Sequence, residues 1–289
     1  MCQPERIDLH MHSIASDGTD TPEQLLEHIR EAGIEMFSLT DHDAFKGCRT
    51  IRELLREGDP VFVDGIEFSC RDEEGKYHIL GYGYDPGAEP IRNLVELAHS
   101  YRMQKFAARL ERLGEEFGIR FSEKETAALM KLNNPGKPHI ANLMIKHGYA
   151  ETVGQAMRDF LNKLHIPSRY ISAETAILAI LASGGVPVLA HPSYGTGDDI
   201  IVGEDMDRII RHLTEFGLKG LEAYYSGFTD RLIRENLENA ERYGLYVTAG
   251  SDYHGKQKMI RLGETNLKRV SDAADGLKRF VDLMLSKYA

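Results

Sequence analysis

Two histidines separated by one residue, His10-Met11-His12, follow the short apolar run Ile7-Asp8-Leu9. Side chains of an extended segment alternate, so both imidazoles face one side and can grip a single cation. Alone, such a pair reads equally well as two surface histidines. Its place at the end of an apolar run, with Asp17 close behind, favours a ligand pair. Thr40-Asp41-His42-Asp43 ends the next apolar run, Met36 to Leu39. There His42 is the candidate ligand, Asp41 a carboxylate expected to orient a ligating histidine, and Asp43 a cap for the following helix. Glu67 and His78 lie on or beside apolar strands, where an isolated Glu is usually solvated and an isolated His hydrogen-bonded. Ala190-His191-Pro192 and Ser251-Asp252-Tyr253-His254 are stronger, because each ends an apolar run as the first motif does. Six of the 12 histidines thus fall at strand ends beside Asp or Glu, a grouping that chance would scatter.

Imidazoles mixed with carboxylates suit Zn, Mn or Fe. The candidates His10, His12, Asp17, His42, Glu67, His78, His191, Asp252 and His254 are too many for one cation and enough for two or three. Multinuclear sites serve hydrolysis: they supply a hydroxide near neutral pH and clamp both oxygens of an in-line phosphoryl displacement.

The elements that would carry these residues alternate in the first third of the chain. Thr21-Pro22-Glu23-Gln24 offers an N-cap, an early proline and a reciprocal cap, and Gly33 closes that helix. A helix from about Phe45 to Leu55 follows, then Val61-Phe62-Val63 running toward Glu67, then a strand around His78-Ile79-Leu80. From Pro90 to about Leu164 the pattern is helical only, with capping boxes at Ser122–Glu125 and Thr152–Gln155. Leu94, Leu97, Phe106 and Leu110 are expected to form the core of that insert. Alternation resumes with a helix over Ala173 to Ser183 and strands at Val186–Ala190, Leu218–Tyr224 and Leu245–Ala249. The last helix is expected over Ala273 to Leu285. Ligands placed after strands are the signature of a parallel (β/α) barrel, whose following loops converge at one mouth. The expected division is residues 1–89 and 169–289 for the barrel and 90–168 for an inserted all-helical subdomain.

The balance of charge narrows the partners. With 35 Lys+Arg against 45 Asp+Glu in 289 residues, the net charge is −10, so a basic groove for duplex nucleic acid is not expected. A small anionic ligand stays compatible, since bound cations would reverse the local charge. The three cysteines, Cys2, Cys48 and Cys70, show no CxxC spacing, which argues against disulfides and a thiolate zinc site. No signal peptide and no apolar run near the ~20 residues of a membrane span are seen, so a cytoplasmic protein is expected.

The motifs resemble those of the PHP (polymerase and histidinol phosphatase) family of metal-dependent phosphoesterases. The matching elements are His10-x-His12, Ser16-Asp17-Gly18-Thr19, Leu39-Thr40-Asp41-His42-Asp43, Gly65-Ile66-Glu67, Leu189-Ala190-His191-Pro192 and Gly250-Ser251-Asp252-Tyr253-His254-Gly255. This resemblance implies an α/β fold, a distorted (β/α)7 barrel with three metals. It implies one metal on His10, His12, Glu67 and Asp252, and a second held by Glu67, His78 and His191. Asp17, His42 and His254 would hold the third. A hydroxide between metals would attack phosphorus. Two or three divalent ions are expected, manganese first, with iron or zinc as alternatives.

Within the family the chain is similar to the branch that hydrolyses nucleoside 3′,5′-bisphosphates and trims short oligonucleotides. The expected substrate is a small phosphorylated compound, a nucleotide or a short single-stranded oligonucleotide, with the helical insert as a substrate cap. Gly136-Lys137-Pro138-His139 resembles that branch's Arg-Pro-His segment, and Arg169 lies near its Pro-Arg element. Lys137, His139 and Arg169 are therefore candidates for a second phosphate, though Lys lacks the bidentate geometry of Arg. Many relatives carry a histidine where this chain has Tyr225, a candidate substrate contact that is a poor acid near neutral pH. The alternatives are a phosphatase for another small monoester such as histidinol phosphate, an amidohydrolase, or a metal-binding regulator without catalysis. No lysine stands at a strand end to bridge metals as many amidohydrolases require, and no ligand position is replaced as a lost site would show.

Overall fold

The computed structural model describes residues 3–132, 135–166, 169–195 and 200–288. The chain forms two compact units, one of Met1–Val95 with Ile171–Ala289 and one of Glu96–Tyr170.

The first unit is built on a seven-stranded sheet of order β1 to β7 in chain sequence. Its strands are β1 (Ile7–Asp8), β2 (Met36–Leu39), β3 (Val61–Arg71), β4 (Lys76–Tyr82), β5 (Val186–Leu189), β6 (Gly220–Tyr225) and β7 (Tyr246–Gly250). Neighbours pair in parallel except at β4, which runs antiparallel to both β3 and β5. The two edges meet: the Leu9 amide donates to the Ala249 carbonyl at 2.9 Å, and Met11 bridges Tyr253. The sheet is thus a nearly closed barrel in a mixed α/β fold, distorted by the reversed strand.

Helices cover its outside. They are α1 (Pro22–Glu31), α2 (Lys46–Leu54), the first turns of α3 (Glu89–Phe117), and, past the second unit, α7 (Ala173–Ala182), α8 (Gly203–Glu215), α9 (Asp230–Arg242) and α10 (Asp275–Tyr288). Helix α1 starts where Thr21 and Gln24 cap one another reciprocally. It buries Leu25, Leu26 and Ile29 against Phe37, Leu39 and Ile51. Met11 joins this same apolar cluster, so strand alternation sends its neighbours His10 and His12 to the opposite, inner side.

The second unit holds the rest of α3 together with α4 (Glu123–Met130), α5 (Lys137–Lys146), α6 (Val153–Ala156) and a π-helical turn over Met157–Leu161. Its core comprises Phe106, Leu113, Ile119, Ile140, Met144 and Leu161, with Leu110 packed against it. Leu94 belongs instead to the first unit and Leu97 is exposed, so half of the expected apolar stripe does not serve the insert. Ser122 and Glu125 form the reciprocal cap read from the sequence. At α6 only half of it exists: Thr152 accepts from the Gln155 amide, while the Gln155 side chain turns to the Glu151 amide.

Candidate metal centre

The mouth of the barrel is where the histidines and carboxylates gather. His10 and His12 follow β1, His42 follows β2, His191 follows β5, and Asp252 and His254 follow β7. Glu67 differs, standing within the long β3 rather than after it. His78 comes near the start of β4, and the reversal of that strand brings its first residues to the mouth where its parallel neighbours end. Paired Ser69 and His78 set this register.

Glu67 is the hub. Its Oε2 lies 3.4 Å from His10 Nε2, 3.2 Å from His12 Nε2 and 3.1 Å from His42 Nδ1. Its Oε1 lies 2.8 Å from His78 Nδ1 and 3.4 Å from His191 Nε2. Asp252 Oδ1 faces His10 and His12 at 3.6 and 3.4 Å, and Asp17 Oδ1 faces His254 Nε2 at 3.4 Å. Three overlapping groups could each hold an ion: His10, His12 and Glu67; His42, Glu67 and His78; and His12, Asp17, His42 and His254.

Buried chemistry tests whether cations fit this nest. Among the described residues, Glu67 Oε1 and Asp17 Oδ1 are buried without a well-formed hydrogen bond, although imidazole nitrogens crowd both. His10 donates its Nδ1–H to Glu222 Oε1 at 2.9 Å, leaving Nε2 turned toward Glu67, Asp252 and His12. His254 donates Nδ1–H to the Asp252 carbonyl at 2.9 Å and aims Nε2 at Asp17. Nitrogens turned to carboxylates at such distances need positive charge between them, either a proton or a metal ion. Divalent cations therefore fit.

The titration behaviour shows the same demand for positive charge, met by protons on the imidazoles where no cation is bound. Burial alone would lower the His10 pKa, yet the Glu222, Glu67 and Asp252 carboxylates hold it well above the ordinary value. His12 is likewise opposed by burial but carried up to about 9 by Asp252 and Glu67. Burial would raise Glu67, Asp17 and Asp252, and the surrounding imidazoles, with Lys258 acting on Asp252, hold all three well below the usual carboxylate range. Strong mutual shifts of this kind mark a functional cluster.

The backbone is bent to make it. Asp43, His191 and Asp252 have φ of 52°, 27° and 56°, a region costing non-glycine residues about 1–3 kcal/mol each. Compensating bonds hold them: the His191 amide donates to Glu222 Oε2 at 2.8 Å, and the Asp252 amide to the His10 carbonyl at 2.8 Å. Close packing also needs a missing side chain at Gly250, where a Cβ would fall 2.3 Å from both Glu222 Oε1 and His10 Cβ.

Some expectations change. Asp41 does not orient His42; it accepts from Ser13 N, Ser13 Oγ and Ser16 Oγ at 2.6–2.8 Å and so shapes the loop leading to Asp17. The N-cap of α2 is Phe45 and not Asp43, whose amide donates to the Glu67 carbonyl. Tyr225 closes β6, with its hydroxyl donating to Asp252 Oδ2 at 2.8 Å and its ring lining the cleft beside the cluster. Lys137, His139 and Arg169 lie in the other unit. There Lys137 donates to Asn162 Oδ1 at 2.6 Å, His139 Nδ1 accepts from the Gly136 amide at 3.0 Å, and Arg169 is exposed.

Sequence reasoning missed Glu222 and Lys258. An acidic residue inside the wholly apolar stretch of β6 was the available signal for the first. The second stands four residues past His254, pairs with Asp252 Oδ2 and lines the same cleft, whose volume is about 370 Å³. None of the helices among the described residues is long and apolar enough to cross a membrane.

Comparison with known proteins gives a consistent picture. Residues 8–175 match the PHP domain model. The phosphoribosyl 1,2-cyclic phosphate 1,2-diphosphodiesterase of Eggerthella lenta is 33% identical, over 86% of this chain and 94% of its own. The 3′,5′-nucleoside bisphosphate phosphatase of Chromobacterium violaceum is 28% identical, over 86% and 87%. A solved structure from Bifidobacterium adolescentis, provisionally assigned as a metal-dependent phosphoesterase, superposes with a TM-score of 0.80 at 30% identity, covering 98% of this chain and 96% of that one. The chain belongs to the PHP domain family and is a metal-dependent phosphoesterase.

Proposed function

We propose that the chain releases phosphate from small nucleotides, with nucleoside 3′,5′-bisphosphates or the ends of short single-stranded oligonucleotides as substrates. The observation that carries this reading is the division of Glu67, one oxygen among His10, His12 and His42 and the other between His78 and His191. A carboxylate so shared supports at least two cations side by side, and Asp17, His42 and His254 supply a place for a third. Bound there, divalent ions supply an activated water and neutralise the phosphoryl oxygens. We take manganese as the first choice, with iron or zinc as alternatives.

The protein's own residues do the rest. Glu222 fixes the tautomer of His10 and the strained amide of His191 with one carboxylate. Tyr225 and Lys258 both hold Asp252 Oδ2, which leaves Oδ1 as the oxygen turned toward the histidines. Lys258 and Gln257 border the cleft, where the ammonium adds positive charge for an incoming phosphate. A cleft of about 370 Å³ suits a phosphorylated ribose better than a duplex. Buried free thiols at Cys48 and Cys70 support a cytoplasmic setting.

The Eggerthella relative favours a second reading, a phosphoribosyl cyclic phosphate as substrate. Phosphate release from adenosine 3′,5′-bisphosphate, phosphoribosyl 1,2-cyclic phosphate and histidinol phosphate, compared as kcat/KM on manganese-loaded protein, decides among them. The bisphosphate is expected to lead. A lead of tenfold or more for either competitor would replace our choice.

A further inference from the structure

One wall of the cleft beside the metal centre is aromatic. Tyr194 follows His191 in a tight turn, where the Tyr194 and Gly195 amides both donate to the His191 carbonyl, at 2.9 and 3.1 Å. The turn is anchored from below: buried Asn236 donates to Ser193 Oγ at 2.9 Å, and the Ile201 amide donates to the Ser193 carbonyl at 2.8 Å. Tyr194 and Gly195 line the cleft together with His191, Tyr225, Gln257 and Lys258.

The half-buried ring of Tyr194 is fixed from several sides. Its hydroxyl donates to the Gly227 carbonyl at 2.5 Å, and its centroid lies 5.2 Å from that of Phe228 and 6.1 Å from that of Tyr225, both edge to face. Gly227 permits this approach, since a Cβ there would fall 2.9 Å from Tyr194 Cε2 and 3.0 Å from Tyr225 Cε1. A ring held in this way has lost its rotamer freedom before any ligand arrives, so binding against it costs little order. The hydroxyl proton is committed to Gly227, and Gly195 beside it has no side chain. What this wall offers the cleft is therefore aromatic surface. Tyr225 connects it to the centre, with its own ring centroid 5.5 Å from that of His191. The cleft is thus divided: the candidate ligands and Lys258 serve a phosphate, and a preset phenol ring stands farther along the same wall as His191.

We propose that Tyr194 is a specificity-determining residue, the platform on which the base of a nucleotide stacks while its phosphate lies at the metal centre. This inference rests on the nucleotide reading above and deepens it. An aromatic ring recognises another planar ring by offset stacking, and does so with little regard to which base it meets. Purine and pyrimidine nucleotides are both accepted on such a wall, whereas a phosphoribosyl cyclic phosphate, having no base, gains no stack from it.

Compounds that differ only in the base test the platform: adenosine 3′,5′-bisphosphate and the abasic methyl ribofuranoside 3,5-bisphosphate, both assayed on manganese-loaded protein. Binding is titrated separately with phosphonate analogues of the pair, whose P–C bonds resist hydrolysis. Wild-type protein is expected to prefer the base-bearing member in both assays. Tyr194→Ala should erase that preference, weakening the base-bearing member about fivefold or more, the worth of one base–aromatic stack, and doing so through KM rather than kcat. Tyr194→Phe keeps the ring without its tether to Gly227 and should restore most of the preference. Equal losses on both members in Tyr194→Ala would mark a merely structural tyrosine, and an unchanged preference would place the base elsewhere; either result overturns the platform. The titration separates this inference from the reading beneath it. If neither ester is hydrolysed while Tyr194→Ala still abolishes the base-dependent part of binding, the substrate reading fails and the platform holds. If both esters are hydrolysed and wild-type protein shows no preference for the base, the platform fails alone.

Discussion

Glu222 shows how a single carboxylate can govern a centre from behind it. One oxygen takes the His10 Nδ1–H and the other the His191 amide, so ligands from opposite parts of the chain share one fixed reference. Glu222→Gln keeps the size of the side chain and loses its charge, and a glutamine can present only one acceptor oxygen. Metal affinity, followed by elemental analysis after dialysis, and turnover should each fall about 10- to 100-fold, as when such supporting partners are removed elsewhere. Unchanged metal content and rate would show that His10 and His191 orient themselves. Asp252 repeats the pattern with its oxygens divided, Oδ1 toward imidazoles and Oδ2 toward Tyr225 and Lys258.

At the scale of elements, the centre depends on how closely β6, β7 and the segment after β1 approach. Gly250, the last residue of β7, lets Glu222 and His10 pack where a methyl group would overlap both. Gly250→Ala should cost about 1–3 kcal/mol of stability, the usual penalty for overfilling a packed interior, and should lower metal retention as well. Denaturant unfolding of metal-loaded and stripped protein measures both effects, and a wild-type midpoint would contradict the packing described. Much of this architecture was legible beforehand. His10, His42, His191 and Asp252 announce themselves because each ends an apolar run, and chain order then fixes the barrel. His78 gave no such signal, since it opens a strand, and only the antiparallel pairing of β4 explains its arrival at the mouth. Asp41 misled for a related reason: adjacency to His42 in sequence says nothing about an extended segment whose successive side chains diverge. Glu222 could be recognised only by asking what a buried acid inside an apolar strand must be bonded to.

The whole molecule carries a net charge of −10 and gathers Asp17, Glu67, Glu222 and Asp252 at one mouth of its barrel. Cations bound there relieve repulsion that the fold otherwise sustains, so occupancy and stability are linked. Exhaustive chelation should lower the melting temperature by about 5–10 °C, from ~2.7 kcal/mol at a hundredfold excess over Kd and ~2–4 °C per kcal/mol at this size. Calorimetry before and after manganese is restored measures the shift; no change would mean that the cluster is stable without ions. The reversed strand, finally, makes chain length a heritable constraint. Tyr77 and His78 are neighbours on opposite faces of β4, one packed outward and one turned to the mouth. A single codon inserted between the hairpin tip and this pair would swap their faces and strip one imidazole from the cluster, although every residue of the motif would survive in the gene.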